Sequence, residues 1–212
     1  MNIQGNANSF HLAGTVMLIG SVLFTAAAFA AAYFRRMPPT DPLEQLQVIA
    51  GDPIGWTAQA ILFPIAMAII AASFMLTAGA LPSSTAKTGA IAAAVLSAIA
   101  CLLWIPISIG RLQLLNAAPG LIASFDANAP PQVSLGDRRL FWAYTIVTLA
   151  SMILIGAALV LGGVLPRMGW IVAALAALSL LIIAPFVMRD WPPFMSYLFT
   201  LAMAIGLLLV KR

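Results

Sequence analysis

Six apolar runs, none containing an Asp, Glu, Lys or Arg, constrain this chain more than any other feature. They cover about 10–34, 56–81, 88–110, 140–164, 168–188 and 194–210. A helix needs roughly 20 apolar residues to cross the hydrocarbon core of a bilayer, and each run is near or above that length. All sixteen charged residues fall in the connections or at the ends, and the charged fraction is 8%, against about 25% for a soluble domain. The sequence therefore predicts an all-α, polytopic integral membrane protein of the cell membrane. Its expected form is a single domain over 1–212, a compact bundle of six transmembrane helices. The longest connection, 111–139, leaves no room for a separate soluble domain.

The absence of ionisable groups inside the runs narrows the possible activities. Proton relays and ion-coupled carriers keep charged residues within the membrane, facing a cavity, so pumping and Na⁺-coupled transport are disfavoured. The formal net charge of +4 comes without a basic stripe interleaved with aromatics, so no nucleic-acid partner is expected. The basic residues read as topology determinants and contacts to membrane lipids. Cys101 is the only cysteine, which excludes an intrachain disulfide, a CxxC pair and a multi-cysteine metal site. His11 is the only histidine and stands where the first run enters the membrane, so bis-histidine haem ligation is excluded. No HExxH or GxSxG sequence occurs. No catalytic residue, metal or cofactor is assigned from these patterns. The first run lacks a basic leading segment and exceeds the 7–15 residues of a signal-peptide core, so it is expected as a span.

Six spans place both termini on one face, with Lys87, Arg167, Lys211 and Arg212. The opposite face carries Arg35, Arg36, Arg111, Arg138, Arg139 and Arg189, together with all six acids: Asp41, Glu44, Asp52, Asp126, Asp137 and Asp190. The raw count of Lys and Arg, six against four, puts the long loops in the cytoplasm. The purely basic character of the short-loop face argues the reverse, and cytoplasmic termini are the preferred expectation. In the first long loop, Asp41-Pro42-Leu43-Glu44 reads as an N-cap, a first-turn proline and a capping glutamate. A short interfacial helix is expected from it, ended by Gly51-Asp52-Pro53. The second long loop has two apolar patches, 112–115 and 121–125, divided by Pro119-Gly120, and then a proline-rich stretch at 128–132. The two loops are expected to fold over the helix ends as a partial cap.

Pro64, Pro106 and Pro185 interrupt the hydrogen bonding of the second, third and fifth runs and predict kinks. Ala, Gly and Ser enrich the runs, which lets helix backbones approach closely. Pro106 sits among Cys101, Trp104, Ser108 and Arg111, and the turn Arg189-Asp190-Trp191-Pro192-Pro193 lies on the same face. A pocket, if one exists, is expected between these places. Its candidate lining is Trp104, Ser108, Arg111, Asp126, Asp137, Arg138, Arg189, Asp190 and Trp191. An interfacial aromatic belt with Asp190 paired to Arg189 is the competing reading of the same residues.

Leu12-Ala13-Gly14 at the head of the first run, the loop 41–56, and Leu165-Pro166-Arg167-Met168-Gly169-Trp170 between the fourth and fifth runs carry a resemblance. On these stretches the chain resembles the uncharacterised bacterial six-helix membrane family catalogued as domain-of-unknown-function family 4386. The resemblance implies similar length, span number and loop order, with a cytoplasmic Leu-Pro-Arg turn. It implies no activity and transfers no site residues.

Two functions are expected from these readings. The first is a non-enzymatic structural or accessory component of a membrane assembly, with other membrane-protein subunits or further copies of itself as partners. The alternative is a binder or carrier of an apolar or lipid-like small molecule under the loop cap. An enzyme would require Asp126, Asp137, Arg138 and Asp190 to converge, which no spacing demands.

Overall fold

A computed structural model describes residues 3–35, 41–129, 131, 133, 137–183, 185 and 191–210, with the side chains of 3–6, 34–35 and 191–195 left aside. Helix α1 spans Ile3–Ala30 and is followed at once by a single turn, α2, at Ala32–Arg35. The break is met by a side chain from 20 residues along the chain. The Ala32 amide donates to Asp52 Oδ2 at 2.6 Å instead of to the preceding helical turn.

Asp52 Oδ1 also accepts from the Gly55 amide at 3.1 Å, which makes it the N-cap of α4, Pro53–Ala80. Gly55 is required at this junction, because a Cβ there would collide with the Ala30 carbonyl and the Asp52 carboxylate. Between these helices lies α3, Pro42–Gly51, with Pro42 in its first turn. Its cap follows the sequence signal: Asp41 Oδ1 accepts from the Glu44 amide at 2.9 Å. Helix α4 continues through Pro64, whose carbonyl accepts from Cys101 Sγ at 3.2 Å.

Helix α5 corrects the expected loop over 111–139. It runs from Ser84 to Ala123, 40 residues, with Pro106 and Pro119 inside it. The patch 112–115 and the start of the patch 121–125 are therefore helical. The helix is held beyond Gly110 by packing, since α3 lies against it. Buried Leu46 and Ile49 of α3 join Tyr33, Trp56 and Ala118 in a second, small core.

Helix α6, Arg138–Leu161, is capped by Asp137, whose carboxylate accepts from the Arg139 amide at 2.7 Å. Its C-terminus closes in a Schellman arrangement: Gly163 has φ +66°, and the Val164 amide donates to the Leu159 carbonyl at 3.3 Å. Helix α7 follows at Pro166–Leu178 and passes into a π-helical turn at Ser179–Ile183. Most of the segment around Pro185, including Arg189 and Asp190, lies outside the described residues, as do Arg36, Pro130, Gln132 and the C-terminal Lys211-Arg212. Helix α8 occupies Trp191–Leu208.

The long helices pack in a closed ring, α1 on α4, α4 on α5, α5 on α6, α6 on α7, α7 on α8 and α8 on α1, with α6 also reaching α8. Inside the ring are Met17, Phe24, Phe74, Trp104, Leu149 and Met203, all buried. Outside it are exposed apolar side chains such as Ile19, Ile65, Leu102, Ile146, Ile171 and Ile205. Water does not suit a surface of this kind, since soluble monomers rarely expose apolar patches beyond a few hundred Å². Five stretches are each long and apolar enough to cross a membrane: Ala7–Ala30, Pro53–Ala80, Ser84–Ala123, Arg138–Leu161 and Pro166–Ile183. The described part of α8, Ser196–Leu208, is apolar and shorter. The chain is thus all-helical among the described residues and has the make-up of a multi-pass membrane protein.

Candidate functional site

Helical spacing puts Trp104, Ser108 and Arg111 on one face of α5, four and three residues apart. That face meets Gln59 and Phe63 of α4 and Tyr144 of α6. All of these side chains are buried, with Arg111 only 6% exposed. The Arg111 guanidinium donates from Nη1 to Gln59 Oε1 at 2.7 Å and lies over the Trp104 ring, 5.1 Å from its centroid. On the backbone side, Trp56 Nε1 donates to the Arg111 carbonyl at 2.7 Å. The second core therefore grips α5 at the residue that carries the charge.

Aromatic rings wall the cluster toward the bundle interior. Trp104 meets Tyr144 at 4.6 Å and Phe63 at 5.3 Å between centroids, and Phe63 meets Phe24 edge-on at 4.7 Å. Such pairs contribute about 0.5–1.5 kcal/mol each beyond area burial. A cation over an indole face is worth up to about 2 kcal/mol when desolvated, which offsets part of the cost of burying the guanidinium.

The polar groups of the cluster are not all satisfied. Trp104 Nε1, Ser108 Oγ, Tyr144 OH and Thr148 Oγ1 are buried and have no hydrogen-bond partner of good geometry among the described residues. The nearest polar neighbours of the Tyr144 hydroxyl are the Thr148 and Ser196 side chains, close enough to interact weakly with it, and Arg111 is within electrostatic reach. Elsewhere in the bundle, hydroxyls find partners. Ser21 Oγ donates to Thr200 Oγ1 at 2.8 Å and Ser151 Oγ donates to the Ala93 carbonyl at 2.8 Å. Each buried polar group left without a partner costs about 1–3 kcal/mol, and native interiors hold few of them. Four share the α5–α6 seam.

Of the residues expected at a pocket, Trp104, Ser108 and Arg111 come together. Asp126, Asp137 and Arg138 are exposed and outside this buried cluster. Asp126 Oδ1 closes a local turn by accepting from the Asn128 amide at 2.9 Å, and Asp137 caps α6. Arg189 and Asp190 lie outside the described residues; Trp191 begins α8. Sequence reasoning missed Gln59, Tyr144 and Thr148. A signal for Gln59 existed, since it is the only Asn or Gln in the six apolar runs.

The cluster is rich in donors and suits an oxygen acceptor better than a metal. No group of three or more His, Cys, Asp or Glu occurs among the described residues. His11 is engaged elsewhere, its Nε2 donating to the Val210 carbonyl at 2.9 Å. Searches against protein-family models, curated proteins and solved structures return no match.

Proposed function

We propose that the chain is a six-span protein of the cell membrane that acts without catalysis, as a structural or accessory component of a membrane assembly. The observation that supports this is the reach of α5. At 1.5 Å per residue its 40 residues extend about 60 Å, twice the roughly 30 Å of a hydrocarbon core. The end that carries Arg111–Ala123 is braced by α3 through a core of its own, a rigid platform at the membrane surface on which another subunit can dock.

In this reading α8 is the sixth span and α3 lies at the interface. The termini face the cytoplasm with Lys87 and Arg167. Purification of the full chain in mild detergent tests the proposal: a partner subunit or a homo-oligomer is expected, and a strictly monomeric, partner-free protein counts against it.

A second reading, a binder of an apolar or lipid-like molecule beneath the cap, is favoured by the four buried polar groups around Trp104 and Tyr144 that lack a well-placed partner among the described residues. A molecule with an apolar body and an acceptor oxygen would match the aromatic wall and the donors. Native mass spectrometry should then show a retained small molecule that is lost on Trp104→Phe or Arg111→Met. Bare protein in the wild type would sink this reading.

A further inference from the structure

A different place carries an inference of its own. Where α6 begins, a surface groove of about 680 Å³ is lined by Asp137, Arg138, Arg139, Trp142, Ala143 and Ile146. We propose that this groove holds an anionic phospholipid of the bilayer, with its phosphate on Arg138 and Arg139 and an acyl chain along Trp142, Ala143 and Ile146.

Arg139, Trp142, Ala143 and Ile146 are three, four and seven residues apart and share one helical face. Along the axis that face changes from cationic to amphipathic to apolar over about 10 Å, the order in which a phospholipid presents headgroup, glycerol region and acyl chain. Both arginines are exposed, and neither guanidinium makes a hydrogen bond or ion pair among the described residues. Arginine's planar fork matches two phosphate oxygens at once.

Asp137 is the one acid among the described residues that line the groove. Its carboxylate is turned to the backbone, accepting from the Arg139 amide at 2.7 Å. Two cations against one acid leave the groove net positive, which selects an anionic head over a zwitterionic one. Deeper in, Trp142 has the amphipathic ring favoured at the headgroup level. Ile146 is 49% exposed, and the small Ala143 leaves room beside it for a chain.

Native mass spectrometry of the full chain, with phosphatidylglycerol and phosphatidylcholine of identical acyl chains, tests the proposal. The wild type should retain phosphatidylglycerol in preference. Each arginine near an anionic head is expected to contribute about fivefold, so Arg138→Gln with Arg139→Gln should lower retention roughly 25-fold. Lys87→Gln with Arg167→Gln removes the same charge from exposed positions at other helix ends and should lower retention far less. An equal loss in the two double variants would reduce the effect to net charge and overturn the site. So would equal retention of both lipids by the wild type. A dimer that dissociates in the Arg138/Arg139 variant without any lipid dependence would assign the groove to a second copy of the chain instead.

Discussion

Helix α6 meets its two main neighbours by opposite means. Against α7 it lays Gly156 on Gly169, so close that a Cβ on Gly156 would stand 2.7 Å from the Gly169 carbonyl oxygen and 2.9 Å from the Ala173 amide. Against α5 it lays Tyr144 on Trp104, ring to ring at 4.6 Å, over polar groups that lack a well-placed hydrogen-bond partner among the described residues. The first seam is backbone against backbone, the form that small residues allow in membranes. The second is closed by large side chains and retains groups whose burial costs free energy. Stability alone accounts for the glycine seam. The aromatic seam keeps polar atoms that a core selected only for packing would replace by Phe and Val.

Substitution at the glycine seam should have the largest effect. Gly169→Leu places a side chain where the Gly156 carbonyl already sits. Overpacking costs about 1–3 kcal/mol when side chains can yield, and here the obstacle is backbone, so a loss above about 3 kcal/mol is expected. Size-exclusion profile and thermal unfolding in detergent would show it. A monodisperse variant with the wild-type Tm would mean that α6 and α7 are free to separate and that the contrast between seams is unfounded.

Next in size is Arg111→Ala, which removes the hydrogen bond to Gln59 and the cation over Trp104. Leaving Gln59 Oε1 unpaired costs about 1–3 kcal/mol, and the lost cation–π contact adds up to about 2 kcal/mol. Relief of the guanidinium's own burial cost offsets part of this, so unfolding measurements should register a net loss of about 2–3 kcal/mol. An unchanged Tm would mean that the guanidinium is held no better than at a surface, which would weaken the case for a built site.

The sequence exposed this architecture unevenly, for physical reasons. Apolar runs and capping groups are local signals, and Asp41 with Glu44 formed the expected N-cap. Helix α5 past Gly110 was not legible, because Pro119-Gly120 is a breaker pair and what overrides it is tertiary: α3 packs on the far end, with Ala118 fully buried. Asp52 showed the same limit. It reads as the end of the α3 segment, yet in space its carboxylate joins the start of α2 to the start of α4, a contact between segments 20 residues apart. At the candidate site, charge and aromaticity pointed to Trp104 and Arg111. Thr148 gave no such signal, since Ser and Thr hydroxyls in an apolar run usually bond back to their own helix, as Thr145 does with the Phe141 carbonyl, and Tyr144 read as one more aromatic of an apolar run.

The smallest expected effect is the most discriminating, because its sign carries the answer. Tyr144→Phe and Thr148→Val each remove one buried hydroxyl that has no hydrogen-bond partner of good geometry among the described residues and nearly preserve shape. If the aromatic seam is dry and empty in the purified protein, deleting an unsatisfied group removes its desolvation penalty. Tm should then rise, by an amount corresponding to at most about 1–3 kcal/mol. If a bound molecule supplies the missing partner, the hydroxyl is satisfied in the real protein and its loss should cost about 1 kcal/mol. Thermal unfolding of both variants, before and after exhaustive delipidation, separates the cases. Destabilisation that turns into stabilisation once lipid is stripped would place a ligand oxygen against Tyr144. A rise in Tm under both conditions would leave the seam as a strained piece of packing and return the search for function to the α5–α3 platform.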